Sequence, residues 1–268
     1  MVHDRPLLIR LAPHRLRVPL LDRYYRARRD HWLSLYQSSS LLAAPSVRMQ
    51  LVPGDRLSDE VAFTGCYEDD LTQRVVELGR RGGTMIDIGA NLGYFSLLWL
   101  SSHPSNRCIA VEAAPRNVEV LRRNIAQNGM DLRTRIIAAA ASDQSGKVLF
   151  DLGPEDQRGW GGIAREDKNG RSIEIEAVRM DEIIPRDTEI ALLKIDTEGA
   201  DALVLMGCER LLKKRLIREI WFEQNKPRIE QIGIPLDAAQ SYLESVGYIC
   251  TAHGNERDEL LEWSAVPC

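Results

Sequence analysis

The stretch Met85–Leu100, MIDIGANLGYFSLLWL, constrains the fold more than any other part of the chain. A short apolar run, broken only by Asp87, turns through Gly89-Ala90-Asn91-Leu92-Gly93 and continues as an almost wholly apolar segment from Tyr94. That order reads as a buried parallel strand feeding a helix. Glycines permit a tight turn and let a ligand approach the backbone. The first N–H groups of the helix have no intrahelical partner. The plain alternative is a strand-to-helix turn with no ligand, because short motifs also match by chance.

The dinucleotide pattern G-x-G-x-x-G seats a pyrophosphate on a helix N-terminus. Here Gly89 and Gly93 flank Asn91, the middle glycine is missing, and Asp87 stands two residues before the first glycine. An acid at that place is a poor neighbour for a pyrophosphate and a good one for a cation. The amino group and sulfonium of S-adenosylmethionine fit that description. The turn therefore favours this cofactor, with a nicotinamide oxidoreductase as the rival reading.

Composition excludes several classes. The 268 residues are 44% hydrophobic and 28% charged with a net charge of −4, so no nucleic-acid signature is present. No apolar run approaches the roughly 20 residues of a membrane span. Leu7-Leu8-Ile9 is cut by Arg10, so the N-terminus has no continuous signal core. The five scattered cysteines, without C-x-x-C spacing, read as reduced thiols of a cytoplasmic protein rather than as a zinc site.

Residues 1–60 stand apart from residues 61–268. Eight arginines lie within the first thirty residues, with Tyr24, Tyr25, Trp32 and Tyr36 among or close behind them. A docking arm for an acidic or lipid-linked substrate, or for an anionic membrane, is one reading. A helical extension packed on the main domain, or on a second subunit as a homodimer contact, is the favoured one. Val47–Val52 suits a short strand, and the acids Asp69-Asp70 open a helix through Leu78. Past the organising turn, Cys108–Val111 forms a second strand ending in Glu112, and Pro115 starts a helix stopped by Asn128-Gly129. Glu112 lies about twenty residues beyond the glycine turn, where a Rossmann-like fold places the acid that accepts from ribose hydroxyls.

A third strand spans Arg135–Ala141 and ends in Ser142-Asp143, the expected adenine end of the ligand. Lys147–Leu152 and Ser172–Val178 read as a strand pair around the glycine-rich loop Gly153–Gly170, a substrate loop or lid. Met180–Ile184 is a short helix, Ile190–Lys194 a strand, and Ala200–Lys214 a helix. Glu219–Phe222 is a strand ending in Glu223, Leu236–Val246 a helix, and Tyr248–Thr251 with Leu261–Val266 a closing antiparallel pair. Strands separated by helices argue for an α/β fold with a mostly parallel sheet.

Several segments together resemble the FkbM-type S-adenosylmethionine-dependent methyltransferases. They are IDIGANLGYFSL (Ile86–Leu97), VEAAPRN (Val111–Asn117), MDEII (Met180–Ile184), LLKIDTEGAD (Leu192–Asp201) and CYEDDL (Cys66–Leu71). The K-I-D-x-E-G pattern is the most specific of them. The resemblance implies a Rossmann-like class I methyltransferase fold, with a seven-stranded sheet and a C-terminal antiparallel hairpin. It also implies O-methylation of a hydroxyl on a small-molecule or glycan acceptor. Candidate cofactor residues are Asp87, Gly89, Asn91, Gly93, Tyr94, Glu112, Ala113, Asn117, Ser142, Asp143 and Asp196. Family members often carry Glu where this chain has Asp201.

An alcohol acceptor must lose a proton at or after attack on the methyl, and a carboxylate within reach can take it. Asp196 and Glu198, on the loop after the fourth strand, are the first candidates, with Glu223 third and Lys194 as an orienting cation. Asp196 and Glu198 would equally suit a helix N-terminus. Asp196, Glu198 and Asp201 form an alternative Mg²⁺ set, although no second group of oxygen ligands is evident. His103 and His253 are not placed to act. Methylation of an amine, or a non-catalytic binding protein that keeps the fold, are the remaining readings.

Overall fold

The computed structural model describes residues 5–167, 170–255 and 257–268, and His14 by its backbone only; Lys168 and Asn169 of the expected lid loop lie outside the described residues. Seven strands form the main sheet: β1 (Thr84–Ile88), β2 (Arg107–Glu112), β3 (Thr134–Ala138), β4 (Leu192–Ile195), β5 (Ile220–Asn225), β6 (Tyr248–His253) and β7 (Leu260–Pro267). Their order is β6-β7-β5-β4-β1-β2-β3. The five strands β1–β5 run parallel, and β7 is antiparallel to both β5 and β6. This is the class I methyltransferase fold.

The chain leaves β1 toward β2 on one side and returns through β4 on the other. The crevice beyond the carboxyl ends of β1 and β4 is therefore a topological switch point, where open α/β sheets bind ligands. The central strands are apolar because both faces are covered. On one face lies the helix Tyr94–Ser102, buried from Tyr94 through Leu100, so its sequence is hydrophobic all round. On the other face Val204, Leu205, Leu211 and Leu243 pack against Leu193, Ile195 and Phe222.

Two segments differ from the sequence expectation. The strand read as Arg135–Ala141 breaks after Ala138, and Ala140–Ala141 joins a second, four-stranded sheet beside Ser172–Val178. There the Ser142 N–H donates to the Val178 carbonyl, so the chain abandons the edge of the main sheet to satisfy a strand of the smaller one. The helix read as Ala200–Lys214 is two helices, Asp201–Met206 and Glu209–Lys213, parted at Gly207. A Cβ on Gly207 would sit 2.1 Å from the Ser142 carbonyl oxygen, so backbone meets backbone where the helix stops.

The N-terminal segment shares the core of the first face. Helices α1 (Leu7–Leu11) and α2 (His14–Leu20) pack on α3 (Arg56–Thr64). Tyr25, Trp32 and Tyr36 gather around Phe63, with ring centroids 5.8, 6.2 and 6.3 Å from it. The buried Arg5 guanidinium donates to the Ala62 carbonyl at 2.9 Å and also to Ser40 and Val61. Tyr25, Trp32 and Tyr36 are thus packing groups of this chain, whereas Tyr24 is exposed.

The glycines of the organising turn answer to packing. Gly89 has φ +74°, and a Cβ there would lie 1.8 Å from the Asp196 carbonyl oxygen; Gly93 has φ +92° and would meet the Leu121 side chain at 2.6 Å. Backbone cannot move aside as a leucine methyl can. Gly89→Ala is therefore expected to cost about 3 kcal/mol or more, and Gly93→Ala distinctly less. Urea unfolding of both variants checks this, and equal midpoints would contradict it.

Candidate active site

Two adjoining cavities lie along the carboxyl ends of the strands. The narrower cleft is lined by Gly89, Asn91, Glu112, Ala113, Asn117, Ala139–Ala141, Phe150, Ile163 and Asp196. The larger, of about 620 Å³, is bounded by Tyr67, Glu68, Tyr94, Lys194, Asp196, Glu198, Glu223 and Asn225, with Trp160 and His253 at its rim. Gly89, Asn91, Gly159 and Asp196 border both.

Glu112 ends β2 inside the narrow cleft. Its two oxygens accept from the backbone N–H groups of Asn91 at 2.7 Å and Ala114 at 2.8 Å. Burial pushes its carboxyl up, and those two donors hold it back down. The carboxylate therefore shapes the glycine turn while keeping lone pairs for further donors. The Asn91 and Asn117 Oδ1 atoms are buried without a hydrogen-bond partner among the described residues. Ser142 and Asp143 are not brought into the cleft. The chain has already crossed to the second sheet, and Ala139–Ala141 line the wall instead.

Asp87 is fully buried and lines neither cavity. The Ser96 hydroxyl donates to its Oδ2 at 2.6 Å, and Lys194 Nζ lies 3.6 Å from its Oδ1. Lys194 sits opposite Asp87 in the register of β4 and β1. Its ammonium, 2% exposed, donates to the Gly89 carbonyl at 3.1 Å and to Asp196 at 3.2 Å. Burial works to neutralise this lysine, but Asp196, Asp87 and Glu68 together hold it above its ordinary range. The cation that answers Asp87 is thus part of the protein.

The loop after β4 brings three acids together. Ligating oxygens of Asp196, Glu198 and Glu223 lie within 4.8 Å of one another, a spacing that a hard divalent cation can share. Asp201, expected in such a set, is turned to bracing: it accepts from Thr197 Oγ1 at 2.7 Å and from the Glu223 N–H at 3.2 Å. Glu198 takes a left-handed backbone, φ +53°, and Asn225 Nδ2 donates to its Oε2 at 2.7 Å. Burial, with Asp196 adding, pushes Glu198 up to about 8. Glu223 is pushed up to about 10 by burial and then by Asp196 and Glu198.

The sequence reading missed Asn225, which fixes Glu198, and Glu68, whose carboxyl burial raises to about 8. Glu68 stands in the CYEDDL segment, so the signal was present without a role attached. Tyr94 borders the larger cavity, its hydroxyl accepting from the Tyr67 N–H at 3.1 Å. His103 ends its helix away from both cavities, whereas His253 borders the larger one, stacked on Trp221 at 4.4 Å.

A buried cation between two acids makes a directional prediction. Lys194→Met removes the buried cation beside Asp87 and Asp196 and should cost about 3–5 kcal/mol. Adding Asp87→Asn to that variant should recover a substantial part, measured by urea unfolding as a double-mutant cycle. Simple addition of the two single costs would contradict the pairing.

Residues 87–250, more than half the chain, match the Methyltransferase FkbM domain. The chain is 24% identical over 223 residues to methyltransferase sdnD of Sordaria araneosa, covering 68% of this chain and 86% of that one. It is 27% identical over 225 residues to the 31-O-demethyl-FK506 methyltransferase FkbM of Streptomyces tacrolimicus, covering 73% and 79%. Among solved structures, a precorrin-6y C5,15-methyltransferase of Geobacter metallireducens superposes with a TM-score of 0.45 at 14% identity, covering 75% and 90%. With the family matched across its cofactor turn, its acid loop and most of its sheet, this protein belongs to the FkbM methyltransferases.

Proposed function

We propose that the protein is an O-methyltransferase that uses S-adenosylmethionine and acts on a hydroxyl of a saccharide or secondary metabolite. One observation carries the reading: Asp196, which borders both cavities, meets Glu198 and Glu223 at the wall of the large one. The residues of the cleft fit the cofactor. Its polar wall offers the Glu112 carboxylate to ribose hydroxyls and two unpartnered amide oxygens to further donors, while Ala139–Ala141, Phe150 and Ile163 offer an apolar face to a base. When bound, S-adenosylmethionine supplies an electrophilic methyl on a sulfonium.

The protein's own task is to align the acceptor oxygen, exclude water and receive a proton; alignment alone can contribute several kcal/mol. Asn225 holds Glu198 Oε2, which leaves Oε1 to take the hydroxyl proton. Burial and then Asp196 keep that carboxylate basic, and Lys194 fixes Asp196. The relative from Streptomyces tacrolimicus bears a name that specifies an O-demethyl substrate, which supports an oxygen acceptor. Nine carboxylate side chains border the large cavity against Arg56 and Lys194, and Lys194 is already paired. A neutral polyol or an acceptor bearing an amino group suits that lining, and a phosphorylated one does not. The thiols of Cys66, Cys108 and Cys208 are free and buried, which suits a reducing compartment such as the cytoplasm.

Calorimetric titration with S-adenosylhomocysteine tests the cofactor. Glu112→Gln should weaken binding about tenfold or more, because a carboxylate accepts more strongly than an amide, and no binding by the unaltered protein would sink the reading. For the base, Glu198→Gln should lower kcat by about 10²–10⁴ with cofactor affinity unchanged. A general base works ionised, and burial raises Glu198 to about 8. Activity should therefore climb as pH rises through about 8 and level above it. A flat profile in that range, or a fully active Glu198→Gln, would move the role elsewhere. Added Mg²⁺ should leave that limb in place; a limb displaced to lower pH would assign the three acids to a cation.

A further inference from the structure

We propose that the N-terminal face formed by α1 and α2 docks the protein on an anionic lipid bilayer. Among the described residues, thirteen large hydrophobic side chains are exposed, and six of them fall within residues 7–33. The strongest group is Leu7, Leu8 and Leu11 on α1, which are 64%, 50% and 76% exposed, followed by Leu16 on α2 at 47%. In α1, Leu7, Leu8 and Leu11 share one arc of the helix, and the opposite side buries Ile9. The helix is anchored by Ile9, so the leucines are held outward by the fold.

The charges of the same N-terminal segment decide the partner of this patch. Arg10, Arg15 and Arg28 are exposed and have no carboxylate partner among the described residues. Residues 5–33 carry eight arginines against Asp22 and Asp30, within a chain whose net charge is −4. Asp22 is already paired with Arg26 at 2.7 Å. A twofold contact with a second copy would set this patch on itself and bring arginine against arginine. An anionic bilayer meets both needs, since leucines enter the acyl boundary while arginines stay among the head groups. The position also serves catalysis. Helices α1 and α2 rest on α3, whose first residues Arg56, Leu57 and Glu60 border the large cavity. Docking would hold that cavity beside the lipid surface.

Vesicle flotation of the full chain tests the proposal. Phosphatidylcholine vesicles containing about 30% phosphatidylserine should retain the protein at least tenfold better than phosphatidylcholine alone, and salt should weaken the retention. The triple variant R10Q/R15Q/R28Q should lose about 100-fold in partitioning, on the scale of one lipid-facing charge per arginine. L7S/L8S/L11S should lose tenfold or more with unchanged thermal unfolding, because those side chains are exposed in the fold. No flotation with anionic vesicles would overturn the proposal, as would flotation that neither triple variant alters. So would a dimer in sedimentation analysis that L7S/L8S/L11S splits.

Discussion

The ammonium of Lys194 is the interaction on which the site depends. A cation at 2% exposure would ordinarily give up its proton, and it stays charged because Asp87, Asp196 and the Gly89 carbonyl surround it. Those three partners come from β1, from the loop after β4 and from the glycine turn. One charged group thereby locks the glycine turn to the acid loop. The missing Cβ at Gly89 completes the lock from the backbone side, because the Asp196 carbonyl occupies its place. Neither strand end can shift along the sheet without breaking the ion cluster or driving backbone into backbone.

The same arrangement creates the chemistry. Lys194 offsets Asp87 and Asp196, and little positive charge remains for the acids beyond them. Glu198, Glu223 and Glu68 are then crowded together in a poorly hydrated pocket, and each is pushed toward holding a proton. In a merely structural cluster such crowding would only destabilise. Here it leaves carboxylates of raised basicity lining the large cavity. The left-handed backbone of Glu198 and the Asn225 amide add constraint at the same residue.

The sequence made much of this visible. The strand-turn-helix at Met85–Leu100, the acid at the end of β2 and the K-I-D-T-E-G loop were all readable, because each is a local pattern at a strand end. Asp87 shows where such reading stops. Its residue type suggested a partner for a cationic ligand, but the cation is Lys194, more than a hundred residues away and adjacent only through sheet order and register. Asp201 was grouped with the acids by spacing, and tertiary hydrogen bonds turned it to bracing. Ser142 and Asp143 were expected at the end of the third strand because the apolar run continues through Ala138–Ala141, while the second sheet takes the last two of those residues. The aromatics of residues 25–36 carried no period that separated packing from docking, and only Phe63 resolves them.

The loop after residue 153 was the least patterned part of the chain, and its attachments explain why. Asn117 Nδ2 donates to the Arg158 carbonyl, Asp55 Oδ1 accepts from the Arg158 N–H, and the Arg56 N–H donates to the Asp156 carbonyl. Arg228 donates to the carbonyl of Trp160. In these four the loop contributes a backbone atom, while Glu155 adds one side-chain ion pair, to Arg116 at 2.8 Å. Closure between the two cavities is therefore independent of most loop side chains. Those side chains are free of that task, and Trp160 borders the large cavity. A segment fixed largely by its backbone shows little regular pattern in sequence, yet it borders both the narrow cleft and the large cavity.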